Sequence, residues 1–322
     1  MDMELGEIYK KGKETLLAKD IGVFLGGVET EFVMRHNRRI MDGYTFRQKA
    51  IDAAPAPETG LEVLGLTFGT PVIMSAMTMP IPAITENGLM EVAKGLKDAG
   101  SLMWTGSPIP GNLKGIKATG VPLAANVKPL KDRKKMYEAL DEIQEAGVDW
   151  VGIEIDSGQG TKILGRQMVF DCSPLSQKEL KDIRKAVHLP LIFKGILSGE
   201  DAVKAVETGA DAIIVSNHGA HTIDYLPHPL QVMEEIMEKV GGRIVIMVDG
   251  GFRRGSDVLK GLAFGASLVG LGRPILYGLA ADGQQGVRDV VTAINGELKR
   301  ILSMVGAPDV QQVGKDTLIP VR

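Results

Sequence analysis

The chain has 322 residues, 44% of them apolar, and its 37 Lys and Arg against 40 Asp and Glu give a formal net charge of −3. That content fills the core of one large domain or two ordinary ones, and the near-neutral balance argues against a nucleic-acid-binding surface, which needs a basic excess. A single cysteine, Cys172, excludes an intrachain disulfide and any multi-cysteine zinc site, so no metal centre is expected and a reducing, cytoplasmic setting is the default.

The first twenty residues mix both signs of charge without an apolar h-region, so they read as an exposed, partly amphipathic helix and not as a signal peptide. Residues 1–60 are predicted as a mainly helical segment packed on the rest of the chain, with the basic stretch Arg35-His-Asn-Arg-Arg39 near its middle. No stretch approaches the roughly 18 uninterrupted apolar residues of a membrane helix.

From residue 61 onward short apolar runs alternate with longer amphipathic ones. The apolar runs are Pro71–Ser75, Leu102–Trp104, Val121–Asn126, Trp150–Asp156, Leu189–Lys194, Ala212–Ser216, Ile244–Val248 and Ser267–Leu271. Their shortness and their Val and Ile content suit strands buried on both faces of a parallel sheet. Between them lie helical patterns such as Asp132–Ala146, where Met136, Leu140 and Ile143 form one stripe and Gly147 follows the C-terminal end. Ala146-Gly-Val-Asp149, Gly209-Ala-Asp211 and Gly265-Ala-Ser267 repeat one helix-to-strand turn. Eight such units predict a (β/α)8 TIM barrel over residues 61–322. An open doubly wound sheet is the rival, and the absence of any antiparallel signal favours closure.

In such a barrel the reacting groups sit at the C-terminal strand ends. Those ends here carry Ala76, Met77 and Thr78, then Gly106, Asn126, Glu154 with Asp156, Lys194, Ser216-Asn-His218, Asp249-Gly250-Gly251 and Gly272-Arg273. The glycines and arginines after strands seven and eight form a phosphate-cradle pattern: bare backbone N–H groups approach phosphate oxygens and arginine adds a forked, charged contact.

Val215-Ser-Asn-His-Gly-Ala220, Val248-Asp-Gly-Gly-Phe-Arg-Arg-Gly-Ser-Asp-Val-Leu-Lys260 and Leu271-Gly-Arg-Pro-Ile-Leu-Tyr-Gly-Leu-Ala280 resemble the FMN-dependent α-hydroxy-acid dehydrogenase/oxidase family. Phe24-Leu-Gly-Gly-Val-Glu-Thr-Glu31 with Asn37 resembles its N-terminal segment. The resemblance implies FMN as cofactor and His218 as the base, oriented by Asp156, with Lys194 stabilising negative charge on the reduced flavin. It implies that Ser216 hydrogen-bonds the flavin and that Ala76, Met77, Thr78 and Gly106 line its ring. Asp249 would take the ribityl chain, and Gly250, Gly251, Arg253, Gly272 and Arg273 the phosphate.

The departures from the family pattern fall on the substrate side. An arginine three residues after the histidine is His221 here, the two substrate tyrosines correspond to Val23 and Asn126, and a threonine two residues before Asp156 is Glu154. Glu154 is therefore expected either to touch substrate or to pair with a neighbouring rim cation. Arginine clamps a carboxylate with a forked, permanent charge, and His221 replaces it only when protonated. The reading is an FMN-dependent oxidoreductase acting on a 2-hydroxy acid or a related hydroxyl- or amine-bearing compound, with a pocket turned away from simple 2-hydroxy acids. The alternatives are an FMN isomerase of the type 2 isopentenyl diphosphate isomerase kind and a flavin-binding protein without turnover. Oxygen, a quinone and a carrier protein all remain open as electron acceptors. The resemblance implies a homo-oligomer, a tetramer by analogy. Residues 157–179 read as a shortened lid, and His188 and His228 as surface or loop residues.

Overall fold

A computed structural model describes residues 4–163, 166–167 and 170–321. Eight parallel strands form one sheet: β1 (Val72–Met74), β2 (Met103–Thr105), β3 (Leu123–Val127), β4 (Trp150–Glu154), β5 (Leu191–Ile196), β6 (Ala212–Val215), β7 (Val245–Asp249) and β8 (Leu268–Leu271). Seven neighbouring pairs are laddered in the order β1-β8-β7-β6-β5-β4-β3-β2, and at least one helix follows every strand. Almost every strand residue is buried on both faces, as apolar runs between two helical layers require. The sheet is a (β/α)8 barrel.

The ring closes between β1 and β2 without a ladder. There Met74 N–H donates to Leu102 O at 3.0 Å and Met77 N–H to Trp104 O at 3.1 Å. The Thr78 hydroxyl donates to Gly106 O at 3.0 Å and the Gly106 amide to Thr78 Oγ1 at 3.0 Å.

Two helices open the N-terminal segment. Helix Leu5–Ala18 buries Leu5, Ile8, Gly12 and Leu16, one face of an amphipathic helix, and a Cβ at Gly12 would run into the backbone of Tyr277 in the last barrel helix. Helix Phe32–Asp42 follows, and Tyr44–Phe46 then pairs antiparallel with Leu318–Pro320, a strand pairing the helical reading did not include. The hairpin Leu61–Val63/Leu66–Phe68 brings Phe68 against Trp150 of β4, with ring centroids 5.8 Å apart.

Strand register decides which side chains meet inside the barrel. Asn126 of β3 lies opposite Gly152 of β4, Glu154 of β4 opposite Lys194 of β5, and Asp249 of β7 opposite Gly270 of β8. Strand β4 stops at Glu154, two residues short of the predicted run, because Ile155–Ser157 turns into a 3-10 helix that carries Asp156 sideways.

Candidate active site

One cavity at the C-terminal strand ends is lined by Ala76, Met77, Thr78, Gly106, Lys194, Asp249, Gly250, Gly251, Arg253, Gly272 and Arg273. Glu154, His218, His221, Lys128, Phe24, Thr161 and Phe170 line the same space. Sequence reasoning on strand ends therefore assembles most of one wall.

The catalytic candidates form a chain of contacts. His218 Nδ1 lies 2.9 Å from Asp156 Oδ2; the carboxylate only accepts, so Nδ1 carries the hydrogen and Nε2 presents its lone pair. His218 has φ 54, a left-handed conformation rare for a side-chain-bearing residue, and its amide donates to Ser216 Oγ at 3.0 Å. Asp156 stands behind the imidazole and does not face the cavity. Its seat depends on a bulge in β5: Gly195 has φ +99, and a Cβ there would collide with Asp156 Cγ. Burial opposes the Asp156 charge, but His218 and Lys194 outweigh it and hold the carboxyl below its ordinary range.

Lys194 is 2% exposed and has no hydrogen-bonding partner among the described residues, although it lines the cavity. Burial pulls its pKa down, yet Asp249, Asp156 and Glu154 outweigh this and hold it above that of an ordinary lysine. The ammonium is thus a fixed cation aimed into the cavity. Arg253 also lines the cavity without a side-chain partner among the described residues, and its backbone is anchored by Tyr9, whose hydroxyl donates to Arg253 O at 2.5 Å.

The loop after β7 makes a bare cradle. Gly250 and Gly251 have φ +110 and +86, and a Cβ at either would come within 2.7 Å of Asn217 Oδ1 or 2.8 Å of Asn37 Cβ. Arg273 opens the helix after β8 and donates to Gly26 O at 2.7 Å and Gly219 O at 3.0 Å, while its Nε is buried without a partner. Burial draws its pKa down to about 10, which leaves it charged. A left-handed glycine loop, a helix N-terminus, an arginine with an unsatisfied donor and a buried lysine facing the cavity fit a phosphorylated flavin.

Several expectations are corrected. Ser216 does not line the cavity: its hydroxyl donates to Asp249 Oδ1 and accepts the His218 amide, so it braces two site residues. Asn126 also lies beneath the cavity. Its Oδ1 accepts from Trp104 Nε1 at 2.7 Å and its Nδ2 donates to Glu154 Oε1 at 3.3 Å, in room left by the missing side chain of Gly152. The backbone of Val23 lies in the turn Gly22–Leu25, and its side chain falls outside the described residues. His221 lines the cavity with Nε2 3.1 Å from Gly26 O, and burial, reinforced by Arg273 and His218, draws its pKa down to about 3. It is neutral at ordinary pH, so a protonated His221 does not stand in for the missing arginine. His228 is buried, not superficial: Nδ1 accepts the Leu230 amide at 3.1 Å, capping helix Pro229–Val240, and Nε2 donates to Gly250 O at 3.1 Å. His188 is exposed.

Glu154 has a partner that sequence reasoning missed. Lys128, the residue after β3, places Nζ 2.5 Å from Glu154 Oε2, with the side chains 4% and 2% exposed. Burial opposes the Glu154 charge, but Lys128, His218 and Lys194 hold its pKa well below the carboxylate range. Thr161 and Phe170, from the segment expected as a lid, complete this wall, and residues 164–165 and 168–169 of that segment lie outside the described residues.

A family model described as FMN-dependent dehydrogenase matches residues 13–167 and 159–320. L-lactate oxidase of Lentilactobacillus hilgardii is 30% identical over 357 residues, covering 99% of this chain and 95% of that one. Glycolate oxidase 3 of Arabidopsis thaliana is 28% identical over 349 residues, covering 96% and 94%. A solved structure of mandelate oxidase with (S)-2-phenylpropionate superposes with a TM-score of 0.90 at 26% identity, over 99% of this chain and 98% of that one.

Proposed function

The chain belongs to the FMN-dependent dehydrogenase family and is an FMN-dependent oxidoreductase acting on CH–OH donors, and from that premise we propose how its residues divide the work. The observation that carries the proposal is the 2.9 Å contact between His218 and Asp156 beside the buried, cavity-facing Lys194. His218 Nε2 takes the proton of the substrate hydroxyl, and Asp156 holds the ring in the required tautomer and stabilises the imidazolium. The bound FMN supplies the two-electron acceptor for the carbinol carbon. Lys194, a buried cation already facing the cavity, would stabilise negative charge on the reduced flavin without reorientation. Gly250, Gly251, Arg253 and the N-terminus of the helix opened by Arg273 would hold the phosphate, and Asp249 would accept from the ribityl hydroxyls.

The substrate is a small or medium compound with a hydroxyl on the carbon attacked, a 2-hydroxy acid or a relative of one. A self-associating, cytoplasmic protein belongs to the same reading, and sedimentation of the holoprotein tests the first part. The decisive experiment has two readouts. Mass spectrometry of the released cofactor should give FMN, and anaerobic addition of a hydroxyl-bearing substrate alone should bleach the flavin. Release of FAD, or failure to hold flavin after reconstitution, overturns the proposal.

A further inference from the structure

The cavity wall that faces the catalytic histidine carries a buried ion pair, Lys128 with Glu154. Resting on the oxidoreductase reading above, we propose that Lys128 and Glu154 read the group bonded to the reacting carbon. They select an uncharged group that both accepts and donates hydrogen bonds, a carboxamide or a second hydroxyl, over a carboxylate.

Position is the first argument. Glu154 Oε2 lies 4.0 Å from His218 Nε2, and both members of the pair line the cavity. A substrate whose hydroxyl reaches Nε2 therefore sets its neighbouring substituent against this pair.

Valence is the second. The Lys128 ammonium has three N–H groups; one goes to Glu154 Oε2 at 2.5 Å and one to Ser157 Oγ at 3.3 Å, with the Phe170 ring centroid 5.6 Å away. That leaves one donor for a substrate oxygen. Glu154 Oε1 accepts only the Asn126 amide among the described residues, and it keeps a lone pair for a substrate N–H or O–H. The floor offers one donor and one acceptor side by side, which a carboxamide or a hydroxyl satisfies and a carboxylate does not.

Charge is the third. Even on the far side of the ammonium, an anion about 3 Å from Nζ stands about 5.5 Å from Glu154, so more than half of the attraction is cancelled at any dielectric constant. What is left must desolvate a carboxylate in a closed site. No other cation on this wall takes its place among the described residues. His221 is neutral and hydrogen-bonded to Gly26 O, Arg273 is tied to the Gly26 and Gly219 carbonyls, and Lys194 and Arg253 belong to the cofactor. The pair is also built in, because Trp104 holds Asn126, Asn126 holds Glu154, and Gly152 leaves the room for both.

The test uses oxidised, FMN-loaded enzyme and ligands it cannot oxidise. Benzamide and benzoate are titrated against it, following the flavin spectrum, with equilibrium dialysis of the same ligands as a check. Mandelamide and mandelate are then compared as substrates. The parent should bind benzamide at least about tenfold more tightly than benzoate, as expected where the described residues leave a buried anion without a free cation. Glu154→Gln uncovers Lys128 and should turn that ratio round by roughly 100-fold. If this variant fails to hold FMN, the double variant Lys128→Met with Glu154→Gln, which leaves a neutral floor, should lose the discrimination in either direction. Benzoate binding as well as benzamide in the parent, a ratio unmoved in the variants, or no binding of either ligand would overturn the proposal. Preference for benzamide without bleaching by any hydroxyl-bearing compound supports this recognition and sinks the oxidoreductase reading instead. Efficient bleaching by mandelate with a preference for benzoate does the reverse.

Discussion

On the cofactor side of the cavity, Lys194 and Arg253 face inward without side-chain partners among the described residues, Arg273 keeps a buried Nε unsatisfied, and the loop at Gly250 and Gly251 exposes bare backbone. On the substrate side, Lys128 is already paired with Glu154, Glu154 with Asn126, and Asn126 with Trp104. The first wall is completed only by a ligand that brings negative charge; the second is charge-balanced before any ligand arrives. A resident cofactor and a passing substrate are thus distinguished by where the protein leaves its electrostatic valence open, although both walls rise from the ends of the same barrel strands.

Variants on the two walls should therefore fail in different observables. The largest effect belongs to the shared centre: His218→Gln should keep FMN and lose roughly 10²-fold or more in turnover, as removal of a general base does. Retained activity would break the assignment. Next, Lys194→Met should lower the flavin reduction potential and cost about 10²-fold in turnover, the lower end for loss of one preorganised electrostatic contact. Spectroelectrochemistry on the holoprotein checks the potential. Gly251→Ala, with a Cβ forced to 2.8 Å from Asn37 and a left-handed backbone, should cost about 1–3 kcal/mol of stability together with much of the FMN affinity. Calorimetry of the apoprotein separates the two losses.

The smallest effect is a pH dependence. His221 and His228 both have folded pKa values near 3, from burial first, against about 6.5 when unfolded. The unfolded chain thus binds more protons between roughly pH 6.5 and 3. The neutral rings leave stability undiminished above that window, and stability falls through it as pH drops, by about 1.4 kcal/mol per pH unit for each histidine. Thermal melts of the parent and of His228→Gln should show that substitution removing one proton from the slope. An unchanged slope would mean that His228 is not the buried neutral cap described above.

Much of this molecule was legible before its structure. Buried parallel strands are written as short apolar runs, so all eight were found to within a few residues, and the motifs at Ser216-Asn-His218, Asp249-Gly250-Gly251 and Gly272-Arg273 carry their chemistry on contiguous segments. Lys128 was not legible. It begins a run with Lys131, Arg133, Lys134 and Lys135 that reads as a solvated face, and only the β3–β4 register brings it to Glu154. Asn126 was misassigned for a related reason: whether a strand-end amide points up at a ligand or down at a neighbour depends on Gly152 one strand away. Ser216 and His228 show the same limit, since a hydroxyl or an imidazole beside a motif serves equally well as a brace, and the partner that decides it lies far along the chain.

The joint between β1 and β2 has a consequence for how the loaded protein comes apart. Every other joint of the ring is a ladder, whereas this one is bridged by two backbone hydrogen bonds, the Ser101 hydroxyl donating to Val72 O, and the reciprocal pair of Thr78 with Gly106. Ala76, Met77 and Thr78 on one stave and Gly106 on the next line the same cavity, so a ligand lying across them spans the loosest joint of the hoop. It acts there as a rivet. A flavin held there would brace that joint, and free FMN should by mass action raise the melting temperature of the ring.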